Sequence, residues 1–274
     1  MGLSAILFPG QGSQTPDMRD LVAEVRPDLL ELVVAAVGED PFPRVEEGTE
    51  FAQPAIFAAS LAGWESLGRP DGDFMAGHSL GELAALIAAG ALSERDGAEL
   101  VALRGRLMAR AEEGGMLALL GAGAAEQAAE LAQAHGLSVA NDNSPQQVVL
   151  SGARTALPAA AEQAEEIGLK ARQLPVTGAF HSPLMSPAVP EFRAALEDVS
   201  FDHPRVPVLS AVTAARFEDP RAQLAQALTM SVRWREVVLA LHERGVEEFV
   251  EVGPGRILTG LVKRTLRNME LASA

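Results

Sequence analysis

The 274-residue chain contains no cysteine, which excludes a disulfide framework, a thiolate nucleophile and a Cys-ligated metal centre. Positive charge is scarce: 22 Lys and Arg against 37 Asp and Glu leave a formal net charge of -15. That balance argues against a general nucleic-acid binder and against a protein that binds anionic membranes. A negatively charged partner would have to be met by a local basic patch. Lysine is nearly missing, with Lys170 and Lys263 alone; base composition accounts for such a bias, and no function is read from it. No apolar run reaches the ~20 residues of a membrane span, and the N-terminus lacks the basic-then-apolar layout of a signal peptide. The expected location is the cytoplasm. What the chain does have is apolar bulk, 48% of its residues, enough for a sizeable core in one large domain or one domain with an insertion.

The stretch Ala76-Gly77-His78-Ser79-Leu80-Gly81-Glu82-Leu83 carries the most chemistry. A short apolar run precedes it and a helix-forming run, Leu83 to Ala89, follows. Gly77-x-Ser79-x-Gly81 is the pattern of a nucleophile elbow, in which a tight turn holds one serine out at a helix N-terminus. Free N–H groups and the helix dipole at that terminus favour an oxyanion formed on an acylated serine.

Along the chain, Ser4 to Phe8 reads as a buried parallel strand ending in the Gly-rich loop Pro9-Gly10-Gln11-Gly12-Ser13-Gln14. Helical spacing follows over Asp20–Val37, broken at Pro27, and over Ala52–Leu67, with a Pro-containing acidic loop between. Ser93-Glu94-Arg95-Asp96 caps a helix running towards Arg110. Arg104 lies beside that helix's apolar stripe, where an arginine ordinarily snorkels to solvent; the alternative is a bidentate grip on a carboxylate. From Met116 to Pro175 the order is β-α-β-β-α-β, the ferredoxin-like split motif. The expected architecture is therefore α/β, with residues 1–115 and 179–274 as a large domain and 116–178 as an inserted small one. Strands at 206–209 and 248–252 and helices at 222–228, 234–244 and after Gly255 complete the large domain.

A serine nucleophile needs a base. Of the five histidines, His78 adjoins Ser79 and points away from it on such a turn, so it lines the surroundings instead. His135 ends a small-domain helix and His203 sits in an acidic loop. A hydrolase order of serine, acid and late histidine would favour His242, but that residue is mid-helix beside Glu243 and Arg244 on a solvated-looking face. His181, in the loop Gly178-Ala179-Phe180-His181-Ser182-Pro183 at the domain junction, is the better candidate.

Four blocks occur in order: Phe8-Pro9-Gly10-Gln11-Gly12-Ser13-Gln14, Gly77-His78-Ser79-Leu80-Gly81-Glu82, Gly178 to Met185, and Glu251-Val252-Gly253-Pro254-Gly255. With Gln53-Pro54-Ala55 and Asn143-Ser144-Pro145 they resemble the malonyl-CoA:acyl-carrier-protein transacylase family over nearly the whole chain. The resemblance implies a hydrolase-like α/β core with an inserted ferredoxin-like subdomain. It also implies a ping-pong transfer: Ser79 takes malonyl from CoA with His181 as base, and the phosphopantetheine thiol of acyl carrier protein takes it from Ser79. The backbone N–H groups of Gln11 and Leu80 would form the oxyanion hole. Arg104, in Arg104-Gly105-Arg106-Leu107-Met108, would pair with the malonyl carboxylate, against the snorkelling read from spacing alone. Met108, Phe180 and His78 would line the substrate, and Phe180 before His181 resembles malonyl-selective members. No third acid is expected; a backbone carbonyl near Ala227 would orient His181. Neither a cofactor nor a metal is implied, since the CoA thioester is a substrate. Carrier docking is expected near Arg256, Lys263, Arg264 and Arg267. Leu83, Gln146 and Ser231 depart from the usual pattern away from the catalytic positions, which leaves open the acyltransferase of malonate decarboxylase or a free-standing polyketide acyltransferase. A serine hydrolase or thioesterase on the same elbow, or a non-catalytic scaffold, are the remaining alternatives.

Overall fold

In the computed structural model, which describes residues 2–111 and 114–272 (side chains as far as Arg267), the chain builds two four-stranded sheets. It opens with β1 (Leu3–Phe8), whose Ala5 to Phe8 are fully buried, as a parallel strand covered on both faces must be. Helices α1 (Met18–Val25) and α2 (Pro27–Val37) follow, split where Pro27 starts the second and Gly38, at φ 94°, stops it. Helix α3 (Thr49–Ser66) begins three residues before its expected start and is buried along nearly its whole length. Strand β2 (Phe74–Gly77), α4 (Gly81–Ala88) and α5 (Glu94–Ala109) come next. Ser93 Oγ accepts from Asp96 N–H at 3.1 Å, forming the expected cap of α5.

The middle of the chain runs β3 (Gly114–Leu120), α6 (Ala124–Ala134), β4 (Ser138–Ser144), β5 (Gln147–Ala153), α7 (Leu157–Glu166) and β6 (Lys170–Gln173). These strands form an antiparallel sheet in the order β4-β5-β3-β6. Alternation along its strands divides their side chains between two faces. Leu117, Leu119, Val148 and Leu150 pack under α6 and α7, whereas Met116, Ala118 and Val149 join the core shared with the first part of the chain.

The chain then returns through α8 (Val189–Glu197), β7 (Val208–Leu209), α9 (Pro220–Gln226), α10 (Trp234–Glu243), β8 (Val246–Glu251) and α11 (Ile257–Ala272). Strands β7-β2-β1-β8 form the parallel sheet. Pro183, Pro187 and Pro190 punctuate the segment of α8 and mask its helical spacing in the sequence. Pro190 falls in its first turn, where a missing N–H costs nothing. The strand expected over 206–209 shrinks to two residues; Pro207 contributes only its carbonyl, to Met75 N–H at 2.9 Å.

Candidate active site

The elbow exists because two glycines let three backbones meet. A Cβ on Gly77 would lie 2.0 Å from the carbonyl carbon of Gly81, and one on Gly81 would lie 2.2 Å from Phe8 O. Both distances are closer than any side chain tolerates. A Cβ on Gly10 would sit 2.6 Å from His78 O, so the Gly-rich loop after β1 lies directly against the elbow. Ser79 itself is held at φ 55° and His181 at φ 56°, a left-handed conformation uncommon outside glycine and frequent at functional sites.

Ser79 Oγ lies 2.9 Å from His181 Nε2. His181 Nδ1 is 2.7 Å from Ala227 O. A carbonyl can only accept, so Nδ1 carries the proton and Nε2 presents a lone pair to the Ser79 hydroxyl. The ring is 4% exposed, and burial, followed by the nearby Arg104 charge, lowers its pKa to about 3. His181 is thus neutral with a fixed tautomer, its Nδ1–H held by the Ala227 carbonyl and its Nε2 lone pair facing Ser79. His242 lies exposed in the last turn of α10, and His203 is exposed in its loop. His135 pairs with Gln163 in the small sheet's helices.

Arg104 overturns the snorkelling expectation. It is 3% exposed, with Nη1 donating to Gln53 Oε1 at 2.7 Å and Nη2 to Ser79 Oγ at 3.0 Å. The reason is the tight packing of α5 on α3: a Cβ on Gly105 would already lie 3.0 Å from Thr49 O. With that face closed to solvent, the guanidinium can only turn inward, over the serine. Burial pulls its pKa down to about 10, partly offset by the Glu82 carboxyl. Glu82, 1% exposed, is itself pushed up to about 7 by burial while accepting Ala211 N–H at 2.7 Å.

The remaining predicted residues gather around the same cavity of about 360 Å³, which Ser79, His181, Arg104, Gln11, Phe180 and Met108 help to line. Among the described residues the N–H groups of Gln11 and Leu80 donate no hydrogen bond. The Gln11 side chain is held by Thr49 Oγ1 at 3.1 Å. Phe180 is buried, and Met108 Sδ accepts from Gln53 Nε2 at 3.1 Å. His78 turns from Ser79, with Nε2 at 2.8 Å from Asn143 Oδ1 and its ring 5.5 Å from that of Trp234. Gln53, Thr49, Asn143 and Glu82 received no role from the sequence. The available signal was polarity inside apolar or glycine-flanked runs, Gln53 within Phe51 to Phe57 above all.

At the cavity mouth Ile257, Leu258 and Leu261 of α11 contribute one wall. Arg256, Lys263, Arg264 and Arg267 are exposed on and beside that helix, and Arg264 Nη2 reaches Gln147 Oε1 at 3.5 Å. Among the described residues no group of three or more His, Asp or Glu could hold a metal ion, and no helix is long and apolar enough to cross a membrane.

The sequence pattern of the family described as "Acyl transferase domain" matches residues 30–274. The chain belongs to this acyl transferase family. Among its relatives, the polyketide biosynthesis malonyl CoA-acyl carrier protein transacylase of Bacillus velezensis is 38% identical, with 98% of each chain covered. The malonyl CoA-acyl carrier protein transacylase of Haemophilus influenzae is 37% identical over 98% of this chain and 94% of its own. The solved malonyl CoA-acyl carrier protein transacylase of Coxiella burnetii superposes with a TM-score of 0.88 at 36% identity, covering 97% of this acyltransferase and 91% of that chain. The chain also spans 24% of a longer polyketide biosynthesis protein of Burkholderia thailandensis, at 38% identity over 97% of its own length. The α/β fold with one parallel and one antiparallel sheet is that of these acyltransferases.

Proposed function

We propose that this acyltransferase moves a malonyl group from CoA to the phosphopantetheine thiol of an acyl carrier protein, in the fatty-acid pathway. The observation that carries the reading is that Ser79 Oγ is shared between a neutral histidine at 2.9 Å and a buried arginine at 3.0 Å. An ordinary esterase serine has the first partner without the second. His181 Nε2 takes the Ser79 proton as Oγ attacks the thioester carbonyl; Gln11 and Leu80 N–H groups receive the oxyanion, and the C–S bond breaks as His181 protonates the leaving CoA thiolate. The carrier thiol then gives its proton to His181 and attacks the malonyl ester; a C–S bond forms, the acyl C–O bond to Ser79 breaks, and His181 returns the proton to Oγ.

Arg104 gives the acyl specificity. Its guanidinium, held by Gln53, grips the malonyl carboxylate as a fork. An uncharged acyl group would leave that buried cation without its partner, which disfavours acetyl. Met108, Phe180 and His78 border the acyl group and the thioester arm. The basic residues Arg256, Lys263, Arg264 and Arg267 meet the acidic carrier at the mouth. We take residues 1–115 with 179–274 as one domain and 116–178 as a ferredoxin-like insertion; the β4-β5-β3-β6 antiparallel order supports that reading. No cofactor beyond the CoA substrate is required, and the cytoplasm is where such substrates reside.

The test is to follow CoA release from malonyl-CoA with and without carrier, alongside free malonate. The proposal predicts turnover that depends on carrier and little malonate. Equal malonate release in both mixtures would make the protein a hydrolase. The Bacillus velezensis relative favours a second reading in which the carrier belongs to a polyketide assembly line; comparing kcat/KM for the two kinds of carrier separates them.

A further inference from the structure

Strand β4 is an edge of the antiparallel sheet, and an edge offers unpaired N–H and C=O groups. Here the linker between α9 and α10 takes that edge. Val232 N–H donates to Ala140 O at 2.8 Å, and Asp142 N–H donates to Val232 O at 2.9 Å, a parallel bridge from one sheet's territory to the other's. Alternation along β4 turns Asn141 and Asn143 to the cavity and leaves Asp142 on the other side. There Asp142 receives Arg235 of α10 through both carboxylate oxygens, Nε to Oδ1 at 2.9 Å and Nη2 to Oδ2 at 2.7 Å.

The same linker, residues 227–233, starts at the carbonyl that holds His181. A third tie leaves it at Arg233, whose N–H donates to Ala211 O at 2.7 Å; Ala211 N–H in turn donates to Glu82, in the first turn of the elbow helix. One short segment is therefore fastened to the base, to the elbow helix and to the edge of the small sheet.

We infer that Asp142 and Arg235 are positioning residues: their ion pair seats β4 on the 227–233 linker, and so sets the Ala227 carbonyl against His181 and the Asn143 amide against His78. Neither side chain touches Ser79 or lines the cavity, so the pair acts only through the groups it holds. This inference rests on Ser79 and His181 being the reacting pair.

The test uses a fluorophosphonate probe on the full chain. The probe needs neither thioester nor carrier: Ser79 Oγ forms the O–P bond, fluoride leaves, and His181 takes the proton. Asp142→Ala and Arg235→Ala should each slow labelling by about tenfold, the size of effect a small misplacement of a catalytic group produces, with circular dichroism unchanged. The double variant should be no slower than either single one, as for two residues with one shared task. Arg235→Lys, which keeps the charge but loses the fork, should fall between and serves if an alanine variant does not fold. Wild-type labelling rates in folded variants, or losses that multiply in the double variant, would overturn the latch. Wild-type protein that does not label in a His181-dependent way would overturn the serine–histidine reading, and the latch with it.

Discussion

The two sheets of this acyltransferase do different work with the same number of strands. The parallel sheet buries β2 and Ala5 to Phe8 of β1 at its centre, and at their C-terminal ends the loop after β1 and the elbow after β2 bring Gln11 and Ser79 to one cavity. The antiparallel sheet buries one face under α6 and α7 and gives the other to the cavity, through Met116, Ala118, Val149, Asn141 and Asn143. Ser79 at the elbow and His181 in the loop after β6 both hold the left-handed backbone, at φ 55° and 56°. The antiparallel sheet forms the facing wall of the cavity and is tied through β4 to the 227–233 linker. Damage on the parallel side should therefore appear in the chemical step and damage on the cavity face of the antiparallel sheet in binding, whereas Asp142, on the other side of β4, should act on the chemical step through the 227–233 linker.

The largest effect should come from the base. His181→Ala should lower the rate of serine acylation by roughly 10³-fold or more, with malonyl-CoA KM little changed, as measured by rapid quench. In the wild-type protein a base whose pKa lies at about 3 is already neutral across the physiological range. The acylation rate should therefore show no acid limb near the ordinary imidazole pKa of about 6.5; His181 loses its lone pair only as pH falls through about 3. Arg104→Ala comes next. Losing one partner of a buried charge pair costs about 2–5 kcal/mol, so kcat/KM for malonyl-CoA should fall by about 10²-fold while that for acetyl-CoA does not. Steady-state comparison of the two thioesters checks it, and equal losses for both would break the proposed division between base and clamp.

On the antiparallel side, Asn143→Ala removes one hydrogen bond to His78, worth about 1 kcal/mol. The expected outcome is a several-fold rise in malonyl-CoA KM at nearly constant kcat, read from steady-state kinetics. A fall in kcat alone would place Asn143 with the chemistry instead. Smallest of all, reversing the charges of Lys263 and Arg264 should raise KM for the carrier a few-fold, by the modest worth of exposed charges. The effect should fade as salt is added and should spare KM for CoA.

How much of this could be read in advance depends on the range of the interaction. The elbow was legible because Gly77, Ser79 and Gly81 state their geometry within five residues. His181 was legible because its loop composition excluded the helical His242. Arg104 was not legible from spacing: what turns it inward is α3 packed against α5, including Gln53 at a separation of 51 residues. The family resemblance, not periodicity, pointed the right way there. Glu82 bonds Ala211 across 129 residues, and Val232 pairs with a strand some ninety residues earlier, so neither left any local mark. Helix α8 was hidden by prolines: Pro190 belongs to its first turn, while Pro183 and Pro187 lie in the short 3-10 helix just before it.

The central claim is that Ser79 becomes covalently malonylated. Intact-mass measurement of the full chain after mixing with malonyl-CoA, without carrier, tests it most directly. The wild-type chain should carry one malonyl adduct, absent in Ser79→Ala and discharged when carrier is added. A wild-type chain that stays unmodified, or an adduct that persists in Ser79→Ala, would contradict it.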